Sequence, residues 1–323
     1  MLLDIIYTVC GFALLIWGAD RFVIGAEATA SALGVPPLLI GLTIVGFATS
    51  APEIMVSISA ASDGLTPMAV GNAVGSNIAN VGLVLGAAAM IQPITSSASV
   101  TLRKELPILI LLTPATLLLF LDQRIDRMDA MILLGALALF IFWMTRVGLR
   151  MGAEKDPIVA ELVNEIPAGI SIGKAGIWLA VGFATLLAGA ELLVSGAANL
   201  AIHFGVSNLV IGLTVIAIGT SLPELAVSVV SAIKGDAGIA VGNVIGSNVF
   251  NLLAVVGVAG WISPADLDPS LLYLHYPVMI GFTLPLLLIA YNPFGNNGLS
   301  RLAGFLLVAA FLAYEVLVIS GSL

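Results

Sequence analysis

Ten apolar stretches run along the chain, separated by short breaks rich in glycine, proline or charge. They fall near residues 5–29, 37–61, 67–91, 104–122 and 128–149, and again near 175–200, 208–233, 238–262, 272–291 and 299–321. Each approaches the roughly 20 residues an α-helix needs to cross a bilayer. Runs such as 105–121 and 302–319 are continuously apolar. A β-barrel requires alternation of lipid-facing and lumen-facing residues, so that architecture is excluded. The pattern predicts an all-α polytopic membrane protein with ten transmembrane helices.

The stretches come in two sets of five. Residues 18–93 align without a gap onto residues 189–264 at a constant offset of 171. GLTIVGFATSAPEIMVS at 41–57 matches GLTVIAIGTSLPELAVS at 212–228, and AVGNAVGSNIANVGLVLG at 69–86 matches AVGNVIGSNVFNLLAVVG at 240–257. Shared polar positions exclude mere common hydrophobicity. Five is odd, so the second set must enter the bilayer from the opposite side, giving two inverted-topology five-helix repeats, the plan of many transporters. Residues 1–149 form the first membrane repeat and 175–323 the second. Residues 150–174 are the one long polar stretch, a linker too short for a domain.

Composition sharpens the class. The chain is 60% hydrophobic and 9% charged, with mean hydropathy +1.14; soluble domains carry about 25% charged residues. The 11 basic and 19 acidic residues give a formal charge of −8 and form no basic run, so nucleic acid is not expected as a partner. One cysteine, Cys10, permits no internal disulfide and no thiolate metal site. The opening MLLDIIY lacks the charged region and cleavage site of a signal peptide, so the first stretch is expected to stay as a helix. Arg103, Lys104, Arg146, Arg150, Lys155, Lys174, Lys234 and Arg301 fall on one side of this topology and only Arg124 and Arg127 on the other. The positive-inside rule makes the linker cytoplasmic and both termini external.

Candidate chemistry lies inside the membrane. Thr49, Ser50 and Glu53 share one helix face within about a turn, and Thr220, Ser221 and Glu224 repeat the arrangement. A carboxylate at mid-membrane costs about 3 kcal/mol or more unless paired or hydrated. The second, third, seventh and eighth helices offer no lysine or arginine near mid-membrane, so a bound cation is the natural counter-charge. Asn72, Ser76 and Asn80, mirrored by Asn243, Ser247 and Asn251, add a neutral oxygen stripe at i, i+4, i+8. Gly71, Gly75, Gly242 and Gly246 should let these helices approach closely. Oxygen donors without imidazole or thiolate suit hard ions such as Ca²⁺ or Na⁺. Interhelical hydrogen bonding competes with ligation for the stripe, and Asn77 and Asn248 are read as structural.

GFATSAPE with GNAVGSNIAN, and AIGTSLPE with GNVIGSNVFN, resemble the paired repeats of the cation/calcium exchanger superfamily, with the prokaryotic sodium/calcium exchanger branch as the nearest match. The resemblance covers nearly the whole chain. It implies Na⁺/Ca²⁺ antiport by alternating access, with Glu53 and Glu224 as central ligands assisted by Thr49, Ser50, Thr220 and Ser221. Ser76 and Ser247 would complete flanking Na⁺ sites, Asn80 and Asn251 would add amide oxygens, and Gly46 and Ala217 backbone carbonyls. Asn251 stands where potassium-dependent members carry Asp, which argues against K⁺ co-transport. The branch implies a prokaryotic inner membrane, no enzymatic activity, no cofactor and no obligatory protein partner. Ca²⁺/H⁺ antiport is the alternative, and a passive cation channel a more distant one.

Overall fold

A computed structural model of the chain describes residues 1–35, 37–94, 100–153, 171–204, 217–286 and 298–320. Helices occur in all ten predicted stretches. α1 spans Leu2–Leu33; α2 is broken into Gly41–Thr49 and Ala51–Ser62; α3 covers Thr66–Ile91, α4 Val100–Leu119, α5 Arg127–Ala153 and α6 Ile172–His203. α7 is also broken, into Ala217–Thr220 and Leu222–Lys234, and is followed by α8 at Ala237–Ile262, α9 at Leu271–Thr283 and α10 at Arg301–Ile319. Among the described residues, six helices are long and apolar enough to cross a membrane, or seven if bent α2 is one span. Leu109–Leu119 and Leu271–Thr283 are shorter apolar helices. Pro107 and Pro114 lie inside α4, which runs through both. The stretches before α7 (205–216) and after α9 (287–297), like linker residues 154–170, lie outside the described residues.

Burial sorts the helices into layers. The apolar span of α8 is buried along its whole length and that of α3 is mostly buried, whereas α5 and α10 present side chains such as Leu139 and Leu302 outward. α1 and α6 pack antiparallel. Gly11, Gly18 and Gly25 recur every seven residues on α1, and Gly182, Gly189 and Gly196 repeat them on α6 at the offset of 171. A methyl group at Gly18 would stand 2.6 Å from the Leu186 backbone nitrogen, and one at Gly25 2.7 Å from that of Leu179. These backbones touch because no side chain intervenes.

Equivalent loops exchange partners between the repeats. Ile94, after α3, bridges Leu299, before α10. Arg124–Ile125 (β1), before α5, pairs antiparallel with Ala265–Asp266 (β2), after α8. Ile94 and Ala265 are themselves 171 apart, so each repeat gives and receives the same contact, as an approximate two-fold axis requires. Gly34, at the end of α1, and Gly235, at the end of α7, adopt left-handed φ of 64° and 88° and close their helices with backbone bonds.

Candidate cation-binding site

The site starts from two broken helices. α2 breaks at Ser50 (φ −79°, ψ 1°) and α7 at Ser221 (φ −90°, ψ 5°), outside helical geometry. Pro52 and Pro223 fall in the next turn, where a missing N–H costs the helix least. The two halves of α2 meet at 45°. Ser-x-Pro-Glu at a helix start has the spacing of a capping box, in which serine and glutamate exchange bonds with backbone N–H groups. Neither box closes. Ser50 and Ser221 make no capping bond, and their hydroxyls have no protein partner. Both oxygens of Glu53 and both of Glu224 are likewise unpartnered, and each residue is 0% exposed.

Such groups are expensive to bury unsatisfied, by about 1–3 kcal/mol for a neutral one and more for a charge. Their location offers partial compensation: each carboxylate lies in the first turn of a half-helix, at the positive end of its dipole. The two acids are close enough to repel each other electrostatically. Thr49 and Ser247 lie beside the Glu224 carboxylate.

The asparagine stripe closes around the pseudo-axis. α3 widens into a π-helical turn at Asn80–Leu85 and α8 at Asn251–Val255, a deformation common at functional sites. Asn80 Nδ2 donates to Asn248 Oδ1 at 3.0 Å, and Asn251 Nδ2 donates to Asn77 Oδ1 at 3.1 Å. Asn77 Nδ2 reaches the Asn248 carbonyl at 3.2 Å, and Asn248 Nδ2 the Asn77 carbonyl at 3.5 Å. The Oδ1 atoms of Asn80 and Asn251 are left buried and unpartnered.

The structure brings several expected residues together directly. Thr49 Oγ1 donates to Asn243 Oδ1 at 2.9 Å and lies 3.2 Å from Ser247 Oγ; Ser247 reaches the Gly46 carbonyl at 3.4 Å. Ser76 lies one turn before Asn80 and is buried. Ala217 and Thr220 belong to the short half of α7 that leads into Ser221.

The close approach expected of the paired glycines is seen at Gly242 and Gly246. Gly246 meets the Leu42 backbone, and Gly41 approaches Gly242, but a methyl at Gly71 or Gly75 would face no described atom within 4 Å. A close crossing thus joins α8 and the first half of α2. Residues 212–216, equivalent in sequence to Gly41–Val45, lie outside the described residues, and the expectation for Gly71 and Gly75 falls there. Asn243 has a wider part than the sequence suggested, since it also donates to the Glu224 carbonyl at 3.2 Å and Ser228 Oγ at 2.9 Å. The heptad glycines of α1 and α6 also escaped notice, although their offset of 171 was visible.

No group of three or more His, Cys, Asp or Glu occurs among the described residues. The donors present are two carboxylates surrounded by hydroxyl, amide and carbonyl oxygens, a set suited to hard cations.

Comparison with known proteins gives this geometry a family. Residues 3–146 and 174–320 match the sodium/calcium exchanger protein family. CaxA of Alkalimonas amylolytica, a protein named as an antiporter, is 45% identical over 99% of this chain and 100% of its own length. Inner membrane protein YrbG of Escherichia coli is 36% identical over 97% of this chain and 96% of its own. The solved sodium-calcium exchanger NCX_Mj, soaked with Na⁺ and Sr²⁺, superposes with a TM-score of 0.83 at 30% identity, covering 97% of each chain. The relatives are transporters, not enzymes. This chain is an integral multi-pass membrane protein and belongs to the sodium/calcium exchanger family of antiporters.

Proposed function

We propose that the protein exchanges Na⁺ entering from outside for Ca²⁺ leaving the cell, through one central site open alternately to each face. The observation that carries this is the set of unpartnered oxygens where α2 and α7 break: four from Glu53 and Glu224 and two from Ser50 and Ser221. Thr49, Ser76, Thr220, Ser247, Asn80, Asn251 and the carbonyls of Gly46 and Ala217 complete the ligand set in this proposal. A single Ca²⁺ neutralises both carboxylates, whereas more than two Na⁺ leave a positive site and make exchange electrogenic. Ions competing for the same oxygens cannot occupy them together, which couples their fluxes. An empty site holds two desolvated charges and resists reorientation.

The proposed topology has ten spans in inverted repeats, 1–149 and 175–323, joined by a cytoplasmic linker at 150–174. Antiparallel α1 and α6, which are equivalent helices, support the inversion, as does the reciprocal pairing of loops. Smooth glycine surfaces on α1 and α6 suit sliding between the two access states. A prokaryotic inner membrane is the proposed location, in keeping with the name of the Escherichia coli relative.

The test is uptake of radioactive Ca²⁺ by proteoliposomes of the purified protein. A Na⁺ gradient directed outward should drive Ca²⁺ inward, and a pH gradient alone should not. Uptake driven by pH and indifferent to Na⁺ would assign the carboxylates to Ca²⁺/H⁺ exchange; flux needing no counter-ion would indicate a channel.

A further inference from the structure

We propose that Asn77 and Asn248 are positioning residues which fix the amide orientation of Asn80 and Asn251, so that two carbonyl oxygens, rather than two NH₂ groups, face the transported ions. This rests on the ion site proposed above and adds residues outside its ligand set.

A buried asparagine amide has two orientations of similar shape, one presenting an acceptor and the other two donors. Only the acceptor can bind a cation. Asn80 cannot turn over without losing its 3.0 Å bond to Asn248 Oδ1 and placing oxygen against oxygen, and Asn251 is held in the same way by Asn77 Oδ1 at 3.1 Å. The clamping residues are themselves held, each by donating its Nδ2 to the other's backbone carbonyl. Their oxygens therefore face the neighbouring amides. All four side chains are buried, with at most 2% exposure, so water does not substitute for these bonds. The oxygens left over, Asn80 Oδ1 and Asn251 Oδ1, have no protein partner.

The clamp is also crossed between repeats. A residue of α8 orients a residue of α3, and the reverse, at the point where both helices widen into π-helical turns. The i, i+3 spacing of Asn77 with Asn80 and of Asn248 with Asn251 is what permits this reciprocity: one asparagine of each pair reaches across to the other repeat's backbone and clamps its amide, and the other presents an oxygen to the site.

The experiment is a double-mutant cycle on Na⁺ and Ca²⁺ half-saturation in reconstituted protein. Asn248→Ala should raise half-saturation by about tenfold, the scale of one lost ion ligand, with maximal rate less affected. In an Asn80→Ala background, Asn248→Ala should add little, because the amide it orients is gone. Asn77→Ala should couple to Asn251→Ala in the same way. Additive effects across both pairs would overturn the proposal and leave the clamp as packing alone. If the alanine variants do not fold, the parent supplies the test: with ¹³C-labelled asparagine carbonyls, infrared difference spectra on adding Ca²⁺ or Na⁺ should show asparagine carbonyl bands shift. No shift would overturn it. Glu53→Gln run alongside separates the two levels: parent-like flux in that variant removes the ion site itself, whereas lost flux with an additive asparagine cycle removes only the positioning role.

Discussion

Gly246→Ala and Gly135→Ala place the same methyl on two membrane helices, α8 and α5, and the structure gives them opposite outcomes. A methyl on Gly246 collides with the Leu42 carbonyl oxygen and stands 2.9 and 3.0 Å from the Leu42 carbonyl carbon and Cα. These are backbone atoms, so no side chain can turn away. α8 and the first half of α2 must separate by roughly half an ångström to one ångström to restore ordinary contact, and overpacking of this kind costs about 1–3 kcal/mol. The same displacement carries Thr49 away from Asn243, stretching a 2.9 Å hydrogen bond beyond useful length and adding about 1 kcal/mol. A methyl at Gly135, on the exposed side of α5, meets nothing within 4 Å among the described residues. It should gain slightly, since alanine is favoured over glycine in a helix by about 0.5–1 kcal/mol. Thermal unfolding of both purified variants in one detergent, followed by size-exclusion, compares them directly. Gly246→Ala should unfold well below the parent and bind Ca²⁺ more weakly, while Gly135→Ala unfolds at or above it. Equal stability of the two variants would refute the close crossing of α8 and α2.

Other outcomes follow from the same geometry. Ser50→Ala and Ser221→Ala each remove a hydroxyl that bonds to nothing in the protein, so thermal stability should stay within about 0.5 kcal/mol of the parent while cation half-saturation rises; loss of stability with unchanged half-saturation would count against ligation. In a Cys10→Ala background, Asp63→Cys and Lys234→Cys, 171 apart, should react with impermeant thiol reagents from opposite faces of the membrane; labelling from one face would contradict the inverted repeats. A bulky residue at Gly18, such as Gly18→Leu, forces α1 from the Leu186 backbone, 2.6 Å from its added Cβ. Exchange should then fall sharply even though the site residues are intact, and normal exchange would separate this contact from transport.

Much of the site was legible because it is written twice. A glutamate with hydroxyls three and four residues before it is weak evidence once, but its recurrence at a fixed offset selects Glu53 and Glu224 from 19 acidic residues. Prolines 52 and 223 hinted at disturbed helices, yet the break falls at Ser50 and Ser221. The open capping boxes could not be read from sequence, since Ser-x-x-Glu at a helix start ordinarily closes on itself. Which amide atom of Asn80 faces inward is also a tertiary matter: it depends on Asn248, 168 residues away. The helix pattern was visible in outline, but the breaks within α2 and α7 were not, because the apolar runs continue across Ser50 and Ser221. The heptad glycines were legible in principle; hydropathy gives them little weight, although they set the α1–α6 contact.

The central claim is that Glu53 and Glu224 hold the transported Ca²⁺ between them. Its most direct test is equilibrium binding of radioactive Ca²⁺ to purified, folded parent, Glu53→Gln and Glu224→Gln proteins, with Na⁺ as competitor. Glutamine keeps size and polarity while removing one charge, so each variant should lose Ca²⁺ binding and the parent's binding should be displaced by Na⁺. Parent-like Ca²⁺ affinity in either variant would contradict a shared two-carboxylate site.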